Sequence, residues 1–184
     1  MTESLKIGYA LSLSTPAGII GGVLVTDEKG FPLEFQYTDP ILPTKIQRIL
    51  YGASLDKYLK VDVILDNLLK VLSNKVDFII VEEDQMLEYD NSKADIVRIV
   101  PVNSTDVKIE AEIQKNKENE YFMQFSKIRQ PIRVQFQKNI EETDELFVKV
   151  ADAIKLMSSF IDVTEPQVRV SKSLDLILNK KADE

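Results

Sequence analysis

The sequence predicts a single α+β domain over residues 1–184. It should consist of an N-terminal three-stranded antiparallel meander, a helical block, further strands in a mixed or antiparallel sheet, and C-terminal helices. Three observations carry that expectation. Apolar residues alternate with period two through the first forty residues, interrupted by two turn signals. Helical three-and-four spacing then runs without a miss from Val61 to Leu72. The same spacing returns after a run of acids near residue 140 and persists towards the end.

Residues 5–13, LKIGYALSL, put Leu5, Ile7, Tyr9, Leu11 and Leu13 on one strand face. Thr15-Pro16-Ala17-Gly18 breaks the strand, and Ile19–Val25 forms the next one. Gly21 and Gly22 within it invite close approach by a neighbouring backbone. Asp27-Glu28-Lys29-Gly30 reads as a type I turn closed by a glycine at positive φ. Leu33, Phe35 and Tyr37 then alternate on a return strand.

Pro40 and Pro43 end that strand, because neither can donate to a ladder and each holds its predecessor extended. Thr44 with Gln47 three residues on forms a capping box. The helix behind it carries an Ile46, Ile49 and Leu50 stripe, expected to pack on Phe35 and Tyr37, and ends at Gly52 as its C′ residue.

A second helical block starts at Ser54, and VDFIIV follows as an interior strand. Another strand is expected at 96–102. A half-buried strand is expected from Val107 through Ile109, Ala111 and Ile113. KNKENE (115–120) reads as a solvated turn. Tyr121–Phe125 with Ile132, Val134 and Phe136 then suggests a hairpin. Asn139 is expected to cap a helix burying Leu146, Phe147, Val150, Ile154, Met157 and Ile161. Thr164-Glu165-Pro166-Gln167 opens the last helix, with Val170, Leu174, Ile177 and Leu178 inward.

Composition excludes several chemistries. With 44% hydrophobic and 29% charged residues, the chain has the balance of a soluble globular protein. It contains no cysteine, hence no disulfide, thiolate nucleophile or cysteine-held metal. It contains no histidine, which removes the commonest general base near neutral pH and the commonest transition-metal ligand. Any metal would be a hard cation such as Mg²⁺ held by oxygens. A net charge of −7 opposes nonspecific attraction to nucleic acid or anionic membrane. No apolar run approaches the roughly 20 residues needed to span a bilayer, and the N-terminus lacks a basic leader. A cytoplasmic location is expected.

Three resemblances attach to particular residues. Gly21-Gly22-Val23-Leu24-Val25-Thr26, Pro32-Leu33-Glu34-Phe35, Tyr37-Thr38, Pro40, Pro43, Gln47, Ile49-Leu50-Tyr51-Gly52, Leu55 and Tyr58 resemble a pattern found in bacterial proteins of unknown activity. The pattern implies no chemistry, but it draws attention to the proline corner and to its polar groups Glu34, Arg48 and Tyr51 as candidate partner contacts. The hairpin GGVLVTDEKGFPLEF resembles the first hairpin of roadblock and longin-type domains, small α+β scaffolds without catalysis. Finally, Glu82, Glu83 and Asp84 end a central strand behind a meander and a helix, a layout that resembles ribonuclease H-like nucleases. That resemblance implies two Mg²⁺ ions between carboxylates, with these three as catalytic candidates. Such folds also need an acid within the first strand, and here none lies between Glu3 and Asp27.

Residues 121–138 hold Lys127, Arg129, Arg133 and Lys138 with no acid among them. Alternation puts Arg133, Gln135 and Gln137 on one face, where they could meet phosphates while Phe122 and Phe125 stack bases. The residues favour a non-catalytic cytoplasmic binding or assembly module with a protein partner, and with no cofactor or metal. The alternative is a divergent ribonuclease H-like protein that binds or cleaves nucleic acid through Mg²⁺ at Glu82, Glu83 and Asp84.

Overall fold

The structure of the protein, a computed structural model, describes residues 4–90, 94–103, 109–125 and 130–182. Eight strands form one mixed sheet. They are β1 (Ile7–Thr15), β2 (Gly18–Thr26), β3 (Pro32–Tyr37), β4 (Phe78–Val81), β5 (Ile96–Pro101), β6 (Ile113–Lys117), β7 (Glu120–Met123) and β8 (Ile132–Phe136). The order across the sheet is β3-β2-β1-β4-β5-β8-β7-β6. β4 pairs in parallel with β1 and β5, and every other neighbouring pair is antiparallel. The predicted meander is β1–β3.

Helices cover both faces. Ile7, Tyr9, Phe78, Ile80, Val97 and Val134 point to one side. There they meet Phe147, Val150 and Ile154 of α5 (Glu145–Met157) and Val170 and Leu174 of α6 (Glu165–Ala182). The alternate residues Ala10, Val23, Ile79 and Val81 meet Val61, Ile64, Leu65 and Leu68 on the other side. β4 is buried at all four positions, as a strand with helices on both faces must be.

The helical block is wound unevenly. α1 (Lys45–Tyr51) and α2 (Leu55–Lys57) are followed by a π-helical stretch, Tyr58–Leu65, and then by α3 (Asp66–Val71). Wider i→i+5 turns keep residues 61, 64, 65, 68 and 69 inward, so the predicted stripe is the buried one. A short α4 (Asp84–Leu87) links β4 to β5.

Several local expectations hold to the atom. Thr44 Oγ1 accepts from the Gln47 N–H at 3.2 Å, and Gln47 Oε1 accepts from the Thr44 N–H at 2.8 Å. Gly52 stands at φ 52°, its N–H donating to the Arg48 carbonyl. Gly30 takes φ 81° in the β2–β3 turn, where Asp27 Oδ1 accepts from the N–H groups of Lys29 and Phe31.

Other expectations are corrected. Gly21 and Gly22 admit side chains from two helices, not a neighbouring backbone: a Cβ would lie 2.1 Å from Ile64 Cγ2 at Gly21 and 3.0 Å from Leu174 Cδ2 at Gly22. The strand expected from Val107 begins at Ile113; residues 109–112 are irregular, and Val107 lies outside the described residues. β6 runs through the first half of KNKENE, the chain turns back at Glu118-Asn119, and Glu120 opens β7, because a polar run serves an outer strand as well as a turn. Asp144, not Asn139, stands at the N-cap position of α5; its carboxylate makes no capping bond and instead accepts from the Glu141 N–H at 2.7 Å, folding the acidic segment back on itself.

The largest correction concerns α1. Ile46, Ile49 and Leu50 are 68%, 80% and 76% exposed, and α1 buries no residue. Tyr37 is exposed, and Phe35 packs half-buried against the cluster under α5 and α6. β3 turns its apolar face to that side of the sheet while α1 continues into the helices of the opposite side, so the two stripes never meet.

Candidate functional site

The carboxyl ends of β1, β4 and β5 lie side by side, because the three strands are parallel and adjacent. Ligands of open α/β sheets bind at such an edge. The Glu82-Glu83-Asp84 cluster is there, immediately beyond Val81.

Each acid is engaged differently. Glu83 Oε1 accepts from the Ser12 hydroxyl at 2.6 Å and from the Ser12 N–H at 3.2 Å. Its Oε2 lies 2.7 Å from Lys60 Nζ, which also reaches Asp56 at 3.0 Å. Burial pulls the Lys60 ammonium down, but Glu83 and Asp56 outweigh it and hold its pKa above the ordinary value. Asp84 Oδ1 is 3.1 Å from Arg98, whose Nε donates to the Glu82 carbonyl at 2.6 Å and whose other arm reaches Gln135. Glu82 presents its carboxylate to solvent.

Ser12 is the β1 residue that meets the strand-end acids, and it gives Glu83 a hydroxyl and an N–H donor. Among the described residues, no three carboxylates converge into a set able to hold a metal ion. Lys60 and Arg98 escaped the sequence reading. The available signal was a lone arginine inside the apolar run IVRIVP, a residue type that is buried in a strand only when paired.

The proline corner forms a second feature of this edge. Ile19 and Ile41 exchange backbone hydrogen bonds at 2.9 and 2.8 Å, clamping the corner to the start of β2. Between the β1–β2 turn and the corner lies a cleft of about 540 Å³. Arg48 lines this cleft. Tyr51 stacks on Tyr58 with ring centroids 4.6 Å apart. Glu34 is elsewhere: its carboxylate accepts from the Ser73 and Asn74 N–H groups, the Asn74 side-chain amide and Gln36. Burial pushes this group up, and the hydrogen bonds more than reverse it, bringing the pKa down to about 2. The structure brings Arg48 and Tyr51 onto one corner and commits Glu34 to the 73–74 loop.

Of the basic stretch, the two described cations, Arg133 and Lys138, lie apart. Lys127 and Arg129 lie outside the described residues. Arg133 Nε faces the buried Glu120 carboxylate at 3.9 Å, which Asn116 also contacts. Lys138, past the opposite end of β8, lines an open basin of about 890 Å³ with Lys75, Asp77, Asp95 and Lys149. Phe122 and Phe125 are buried, which corrects their assignment as base-stacking groups. Gln137 donates to the carbonyls of Leu87 and Tyr89, tying β8 to the segment after α4.

No helix among the described residues is long and apolar enough to cross a membrane. No protein-family model and no curated protein sequence matches the chain. Solved structures are similar at low identity. Argonaute from Marinitoga piezophila, in complex with a 5′-OH guide RNA, superposes with a TM-score of 0.47 at 12% identity, over 87% of this chain. This chain spans only 27% of that protein's length. The NurA nuclease from Sulfolobus solfataricus gives a TM-score of 0.38 at 12% identity, over 98% of this chain and 86% of that one. Endonuclease V from Bacillus subtilis gives 0.51 at 8% identity, over 98% of this chain and 82% of that one, so the two chains share a fold.

Proposed function

We propose that the protein is a non-catalytic binding module on a fold shared with a nuclease, and that it contacts a protein partner through the corner 37–51. The observation that carries this reading is the state of the strand-end acids. Glu83 is held by Ser12 and Lys60, and Asp84 by Arg98. A divalent ion would have to displace protein cations from the carboxylates it needs. The exposed stripe of α1 supports the second half of the reading. A seven-residue helix gains little from propensity alone, and here its apolar side faces solvent.

Arg48 and Tyr51 are the proposed contact groups, both of types enriched at interface hot spots. Glu34 serves as the anchor that holds the 73–74 loop beside β3. Replacing Arg48 and Tyr51 together by Ala should leave stability within about 1 kcal/mol, as expected for surface positions. The same change should reduce recovery of the native partner in affinity capture from the source cell. Unfolding of the double variant, or unchanged recovery, would make the corner a structural turn and nothing more.

One observation favours a second reading. The fold is that of endonuclease V, and Glu82, Glu83 and Asp84 end its central strand. A nuclease would cut single-stranded or duplex substrate in Mg²⁺ or Mn²⁺ and lose that activity in Glu83→Gln.

A further inference from the structure

Ile19, Leu42, Pro43, Leu55 and Leu59 supply the aliphatic part of the cleft between the β1–β2 turn and the proline corner, and Ser14 and Thr15 line it as well. Two charged residues line it. Asp56 pairs with Lys60 at 3.0 Å, an ammonium it shares with Glu83. Arg48 makes no ion pair among the described residues, and no acid occurs in the sequence from 40 to 55. The cleft therefore combines aliphatic wall residues with one cation that makes no ion pair among the described residues.

Its walls are held in place before any ligand arrives. The Ile19–Ile41 bridge fixes the corner, and Gly18 lies so close to it that a Cβ would fall 2.6 Å from the Ile41 carbonyl oxygen. Pro40 and Pro43 stiffen the approach, and the Thr44 capping box fixes the start of the helix that carries Arg48. A volume of about 540 Å³ falls in the range of roughly 300–1,000 Å³ usual for small-ligand sites.

We propose that this cleft binds an apolar chain ending in a single carboxylate. The guanidinium of Arg48 would grip the carboxylate through its paired N–H donors, and the aliphatic walls would cover the chain. One free cation matches one negative charge, which disfavours phosphorylated ligands. Two sources offer this chemistry: a small aliphatic acid, or the terminal carboxylate of a peptide ending in apolar residues. The site shares Arg48 with the contact surface proposed above but is tested without any protein partner, so the two readings fail separately.

Calorimetric titration of the full chain with octanoate, octanol and octylamine tests the first source. The peptide Ala-Ala-Leu-Leu, as free acid and as amide, tests the second. At least one acid should bind about tenfold or more tighter than its neutral counterpart, the ratio expected for a charge-assisted pair. Arg48→Gln should erase that ratio while leaving the neutral compound's affinity unchanged. Ala53→Trp, which fills the cleft from an exposed lining position, should weaken every ligand about tenfold or more, with thermal melts confirming that both variants fold. Octanoate alone binding identifies a small acid, and the peptide acid alone identifies a chain terminus. Equal binding of acids and neutral compounds, no heat from any ligand up to about 10 mM, or an acid preference that survives Arg48→Gln would each overturn the proposal.

Discussion

Glu34 accepts hydrogen bonds from the backbone of Ser73 and Asn74 across 39 and 40 residues of chain. It pins the end of the helical block to the edge strand. Its folded pKa, about 2, lies below the ordinary 4.5, so the sign of the linkage follows directly. The stabilisation is complete above pH 4.5 and is lost as pH falls through the folded value. Glu34→Gln should cost about 1–2 kcal/mol at pH 7, the low end for hydrogen bonds to a charged group because the carboxylate is only partly buried. Urea melts of wild type and variant should converge between pH 4.5 and 2. A gap that stays constant across that range would remove Glu34 from the acid response.

At the scale of elements, α1 tests how far a local pattern determines its surroundings. Ile49→Ser with Leu50→Ser should shift stability by less than about 1 kcal/mol, since both side chains already face water. Amide exchange in α1 should approach unprotected rates while β1 and β4 remain protected. A loss above about 2 kcal/mol in urea melts would mean that the stripe is covered after all.

The same helix shows what a sequence carries and what it leaves open. Thr44, Gln47 and Gly52 announce their roles because capping is decided within four residues. Ile46, Ile49 and Leu50 announce an apolar stripe but not its direction, which depends on the route of the chain after Tyr51. The π-helical turns at Tyr58–Leu65 were invisible for a related reason: both windings turn Val61, Ile64 and Leu65 inward. Glu82, Glu83 and Asp84 were legible as a strand-end cluster. Ser12, Lys60 and Arg98, which engage the cluster, lie 71, 23 and 14 positions from their partners and meet them only through sheet order and, for Lys60, helix packing.

At the scale of the molecule, β4 is the centre on which both helical layers converge. Ile80 is fully buried between β1 and β5. Ile80→Ala should cost about 2–5 kcal/mol in denaturant melts, whereas a loss under about 1 kcal/mol would contradict the two-layer packing. The parallel trio β1, β4 and β5 also brings Ser12 and Arg98 to the acids that follow β4. If Ser12, Lys60 and Arg98 have taken over the carboxylates of Glu83 and Asp84, the edge has no affinity to offer a divalent ion beyond that of ordinary surface acids. Calorimetric titration of the full chain with Mg²⁺ and Mn²⁺ tests this directly. No site tighter than roughly millimolar, the weak end of oxygen-ligand affinities, is expected. Micromolar binding that disappears in Glu82→Gln or Asp84→Asn would contradict it and make the strand end a metal centre.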